Sequence, residues 1–110
     1  MKPIGTIPIC QITYQVFEVP HKKMESISGG VDAFGYVNHE KQEIYILAGM
    51  TQEARRSTAR HEAMHGVMTL SGASRALQQG RISIDELEED GVRAVEPWID
   101  AVVMAVRDLA

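Results

Sequence analysis

At 110 residues, with 45% hydrophobic and 24% charged side chains, the chain has the size and composition of one globular domain (1–110) with one modest core. Its net charge of −4, with no basic block, gives no electrostatic support for binding nucleic acid or an anionic membrane surface. A single cysteine excludes an intramolecular disulfide and favours a reducing compartment. No stretch has the length of a membrane span, and Met1 to Gly5 lacks the apolar run of a signal peptide, so the expected address is cytoplasmic.

Residues 1–11 contain Pro3, Gly5 and Pro8 and are expected to form an extended lead-in. Cys10 within them is expected to be a small buried hydrophobe. Ile12 to Val19 is rich in β-branched and aromatic residues and predicts a strand that Pro20 ends. The polar stretch His21 to Gly30, closing in Ser28-Gly29-Gly30, predicts a loop. Ala33–Asn38 and Glu43–Ala48 flank His39-Glu40-Lys41-Gln42 and predict a β-hairpin. These segments imply an α+β domain with a small, mostly antiparallel three-stranded sheet.

A helix is predicted over Gln52 to Leu70, with Thr51 as its N-cap and Glu53 favouring its positive end. Ala59, Ala63, Val67 and Leu70, widened by Met64 and Met68, form its core stripe, and Arg55, Arg56 and Arg60 are expected on the solvent side. Ser71-Gly72 predicts its end, and Ala73 to Ile82 a linker. Ser83-Ile84-Asp85-Glu86 is a capping box for a second helix, which Pro97 either kinks or restarts. Val92, Val95, Ile99, Val102, Val103 and Val106 keep a helical period to the C-terminus. The run Val102, Val103, Val106 and Leu109 has two candidate partners, the sheet or a second copy of the chain in a homodimer.

The central helix carries His61-Glu62-Ala63-Met64-His65, an H-E-x-x-H pattern found by chance in roughly one chain per hundred of this composition. Helical positions i and i+4 share a face, so His61 and His65 can offer two imidazole nitrogens to one ion. Glu62 follows the first of them and can orient and deprotonate an activated water. Two histidines on a polar helix face are the bland alternative. Their place mid-helix, beside Met64, Val67 and Met68 on a segment expected to be partly buried, weighs for a shared Zn2+. A catalytic zinc needs a third protein ligand. Met68 and Ser71 stand where a metzincin would have glycine and histidine, which leaves a carboxylate from Glu86, Glu88, Glu89 and Asp90, or Asp85. Helical phase leaves both Glu88 and Glu89 open, and acidic residues also crowd helix N-termini for dipole reasons alone.

These parts resemble the ImmA/IrrE metallopeptidases, gluzincin-like proteins, and most of all their short phage and prophage members. The likeness runs from about Ala33 to Leu109. It rests on Glu43-Ile44-Tyr45-Ile46-Leu47, on Arg60-His61-Glu62-Ala63-Met64-His65-Gly66, and on Glu88-Glu89-Asp90-Gly91-Val92-Arg93-Ala94-Val95 followed by Pro97. The resemblance implies a minimal zincin-like domain, His61 and His65 as ligands and Glu62 as general base. The family's Glu-x-x-(small apolar) pattern falls on Glu89 to Val92 and makes Glu89 the third ligand, with Glu88 to Gly91 the other register. The chain departs from the longer members at Val95-Glu96-Pro97-Trp98 and carries no helix-turn-helix partner.

The expectation is a zinc-dependent metallopeptidase-like hydrolase acting on a peptide or protein, with His39, Tyr36 and Tyr45 as candidate oxyanion donors. The sheet edge is a candidate seat for an extended peptide. Two other readings stand beside it. One is a non-catalytic phage or prophage interaction module with a structural or vestigial zinc site. The other is zinc hydrolysis of a non-peptide substrate.

Overall fold

The computed structural model describes residues 1–30, 33–70 and 92–110, with 92–97 described by backbone alone. Strands β1 (Lys2–Ile9) and β2 (Ile12–Val19) form an antiparallel hairpin. Cys10 and Gln11 link them with φ of 49° and 70°, both left-handed, as a two-residue type I′ turn requires. The expected lead-in is therefore a full strand. Pro3 and Pro8 suit β1 because it is an edge strand, with only one side in the ladder, and its register slips between Pro3 and Gly5. Cys10, at the turn, is only partly buried.

The polar stretch after Pro20 is a helix, α1 (His21–Ile27), and not a loop. Met24 is its buried anchor, packed with Val19 and Tyr45. Its end is closed by Ser28 N–H on the Met24 carbonyl and Gly30 N–H on the Glu25 carbonyl, with Gly29 left-handed at φ 74°. The short helix hides in the sequence because a single turn of apolar anchoring, Met24 and Ile27, is all it needs.

Strands β3 (Gly35–Asn38) and β4 (Glu43–Leu47) form the expected antiparallel hairpin. β4 also pairs in parallel with β2, from Gln15 opposite Glu43 to Val19 opposite Leu47. The sheet is thus four-stranded and mixed, in the order β1-β2-β4-β3, rather than three-stranded and mostly antiparallel. β4 takes an inner place because Ile44, Tyr45 and Ile46 are all buried, a run suited to a strand covered on both faces. β3 is left as the second edge.

Helix α2 (Gln52–Leu70) lies across one face of this sheet. Ala54 N–H donates to Thr51 Oγ1 at 3.1 Å, so Thr51 is the N-cap. Ala59, Ala63 and Val67 are buried as expected, joined by Gly66, while Leu70 is exposed. Arg55 and Arg56 do more than cover the solvent side. Arg55 forms an ion pair with Glu18 of β2 at 2.8 Å, and Arg56 donates to the Arg107 carbonyl. Arg60 is exposed.

Helix α3 (Val92–Arg107) is continuous through Pro97 and packs on α2 and β1. Val102, Val106 and Leu109 are buried within the chain itself, so the sheet and α2 cover them. Ala110 N–H donates to the Ile4 carbonyl and ties the tail to β1. The Gly72 cap, the linker and the capping box at Ser83–Glu86 lie outside the described residues. The described residues make a small compact α+β domain with three helices, and none of those helices is long and apolar enough to cross a membrane.

Ile46 is fully buried in the cluster that holds Ala59 and Ala63. Ile46→Ala is expected to cost about 2–5 kcal/mol of stability, while Met104→Ala on the exposed face of α3 should stay within about 0.5 kcal/mol. Urea denaturation midpoints of the two variants check this.

Candidate metal centre

The site grows from the division of α2 into two sides. Ala59, Ala63, Gly66 and Val67 face the core, and His61 and His65 leave the helix on its exposed flank. The segment is partly buried as expected, through Ala59, Ala63, Gly66 and Val67, but both histidines are exposed, so burial does not argue for a shared ion. Geometry does. Their Nε2 atoms stand 3.0 Å apart, with ring centroids 4.6 Å apart and planes at 87°. Two nitrogens that close either share a proton, one donating to the other's lone pair, or aim both lone pairs at one ion. Zinc–nitrogen bonds of about 2.05 Å at a tetrahedral angle separate two nitrogens by about 3.3 Å, about 0.3 Å more than the separation of this pair.

Glu62 is half-buried between this pair and the sheet. It lines a cleft of about 350 Å³ with Phe34, Gly35, Ser57, Thr58 and His61. Gly35 of β3 forms the opposite wall. A Cβ at Gly35 would fall 2.6 Å from Thr58 Cγ2, 3.0 Å from Glu62 Cγ and 3.4 Å from Glu62 Oε1. The missing side chain is what lets β3 come up against the carboxylate.

The hairpin residues separate by sheet face. Tyr45 lies on the face away from α2, buried with Val19 and Met24 and stacked on Phe17. Its hydroxyl donates to Glu43 Oε2 at 2.7 Å, and burial, then that hydrogen bond and charge, push its pKa up to about 12. Tyr36 pairs across the ladder with Tyr45 and shares that face. His39 is on the α2 side, its Cε1 3.7 Å from where a Cβ on Gly66 would stand. Tyr14, fully buried on β2, has its hydroxyl 3.0 Å from His39 Nδ1. Sequence reading did not single out Tyr14. Its alternation with Val16 signals an inward position, but nothing local signals a partner far along the chain.

Glu89, together with Glu88, Glu86, Asp90 and Asp85, lies outside the described residues. Among the described residues no three His, Cys, Asp or Glu side chains converge as a metal-binding group. Cys10 belongs to no such group, and burial raises its thiol pKa.

Gly35→Ala is expected to destabilise the fold by about 1–3 kcal/mol through overpacking. Adding Thr58→Ser removes the methyl at 2.6 Å and should recover part of that loss, since the contact with Glu62 remains. Urea denaturation of the single and double variants checks this. A second expectation concerns pH. Between about pH 10 and 12 an unfolded Tyr45 is ionised while the folded phenol keeps its proton. The unfolded state then binds fewer protons, so stability falls as pH rises through that window. Tyr45→Phe should flatten the slope in a pH series of denaturation midpoints.

Comparison of the chain with family models, curated proteins and solved structures finds no match to any of them.

Proposed function

We propose that the chain is a minimal zincin-like, zinc-dependent hydrolase that cleaves a peptide bond. The observation that carries this reading is the approach of His61 Nε2 and His65 Nε2 to 3.0 Å at the rim of the cleft that Glu62 lines. His61 and His65 supply two ligands. Glu89 supplies the third; it stands shortly before Val92 in the chain, and the helix described from Val92 packs on α2. A zinc ion held by these residues would supply Lewis-acid chemistry, making water more acidic and a carbonyl more electrophilic. Glu62 takes a proton from the attacking water and hands it to the leaving amine. β3, an edge strand among the described residues, bounds the same cleft, so an extended substrate can add to it as a strand, beside exposed Phe34.

One observation favours the second reading, an interaction module with a structural or vestigial zinc. His61 and His65 are exposed and have each other as their ring partner.

The two readings separate on metal and base variants. Purified protein is expected to carry about one zinc by elemental analysis, and His61→Ala, His65→Ala and Glu89→Ala to lose it. Glu62→Gln should keep the metal and lose about 100-fold or more of the hydrolysis of a fluorogenic peptide library. Undiminished hydrolysis in Glu62→Gln removes Glu62 from the mechanism. A zinc-loaded wild type without hydrolysis, which unfolds when chelated, supports the structural site instead.

A further inference from the structure

The two edges of the sheet are finished differently. The two-residue turn at Cys10 and Gln11 makes Ile9 and Ile12 a hydrogen-bonded pair, so the next residue of β1 turns its backbone groups outward. That residue is Pro8, which has no N–H to offer. Further along β1, the Ala110 N–H occupies the Ile4 carbonyl. Both features obstruct the addition of another strand there. β3 carries no proline and no register shift, and among the described residues no strand pairs with its outer side.

The ladder with β4 shows which groups of β3 are turned outward. Leu47 N–H donates to the Phe34 carbonyl at 2.9 Å, so Phe34 and Tyr36 turn their backbone groups towards β4, and Gly35 and Val37 turn theirs away. Two outward-facing residues on either side of Tyr36 complement themselves under a two-fold axis. In an antiparallel pairing of β3 with β3 of a second copy, centred on Tyr36, each Gly35 faces a Val37 and exchanges both backbone hydrogen bonds with it. Tyr36 meets its own copy in the closer, non-hydrogen-bonded position, where cross-strand aromatic side chains touch. Pro3, Phe17, Tyr45 and Tyr36 form one row across the sheet, and the axis continues that row into the second copy. Phe34 and Tyr36, 66% and 40% exposed, are the large apolar groups beside this edge. Ala33 to Asn38 holds no charged residue, so two chains of net charge −4 can meet there without opposing like charges.

We propose that β3 is a self-association edge, through which two copies of the chain join their sheets with Tyr36 on the two-fold axis. The pairing is small, so the dimer is weak and forms reversibly with concentration. It does not depend on the metal reading. The second copy stands where an extended peptide would lie, so dimer formation and strand addition by a peptide exclude each other.

The test is sedimentation velocity of the full chain over a dilution series, with a reversible monomer–dimer equilibrium expected. Val37→Pro removes an N–H that β4 does not use and should weaken association about 10-fold or more. Tyr36→Asp sets two carboxylates against each other across the axis and should act in the same direction if proline disturbs β3. Both variants should keep the wild-type far-UV circular dichroism. Cross-linking fixes the register. In a Cys10→Ser background, Tyr36→Cys places two Cα atoms about 4.5 Å apart, within disulfide reach, and should oxidise to a covalent dimer. Gln15→Cys, exposed on the same sheet face but on the inner strand β2, should not. A wild type that stays monomeric throughout, unchanged association in both Val37→Pro and Tyr36→Asp, or equal cross-linking of the two cysteine variants would each overturn the proposal.

Discussion

The close seating of α2 on the sheet is the contact from which the other features follow. It depends on small residues. Ala59, Ala63 and Gly66 carry the helix onto Ile7, Ile9, Ile44 and Ile46, and Gly35 keeps the approaching strand free of a side chain where Thr58 and Glu62 pass. Larger side chains at these places would lift the helix. Glu62 would then lose its wall and His39 its place against Gly66. The apolar area buried here drives the packing, and the polar groups are carried into position by it.

The same helix serves two environments. Its inward side is packed to near-zero exposure, whereas His61 and His65 stand in solvent. Exposed imidazoles lose little hydration on folding, so the fold tolerates them at small cost. For the same reason their mutual approach is not forced by a surrounding core. Glu62 sits between these regimes, half-buried against β3. A carboxylate there is reachable by solvent and still restrained on one side, by Gly35.

The sheet order gives the site its surroundings. Placing β4 inside and β3 at the edge brings the β3–β4 connection, with His39, beside the later turns of α2 and, among the described residues, leaves the outer side of β3 without a paired strand next to the cleft. The parallel β2–β4 pairing also brings β2 into the layer under α2, where Tyr14 can reach His39 and Glu18 can hold Arg55.

Local pattern was enough to read α2 from Gln52 to Leu70 with its Thr51 cap, the β2 strand, the β3–β4 hairpin and the H-E-x-x-H spacing. Each is written within a few residues, as a periodicity, a cap or a turn, so neighbours along the chain carry the signal. What tertiary structure alone decided involves partners far apart. Pro3 and Pro8 argue against a strand until β2 is there to pair with β1. α1 gains its reason from Val19 and Tyr45, which anchor Met24. The separation of Tyr36 and Tyr45 from His39 needs the sheet's two faces. The hydrogen bond from Tyr14 to His39 spans two elements whose meeting is set by core packing. Such contacts form because burying the isoleucine, valine and alanine faces together lowers the free energy of the whole chain, and no short stretch of residues records that sum.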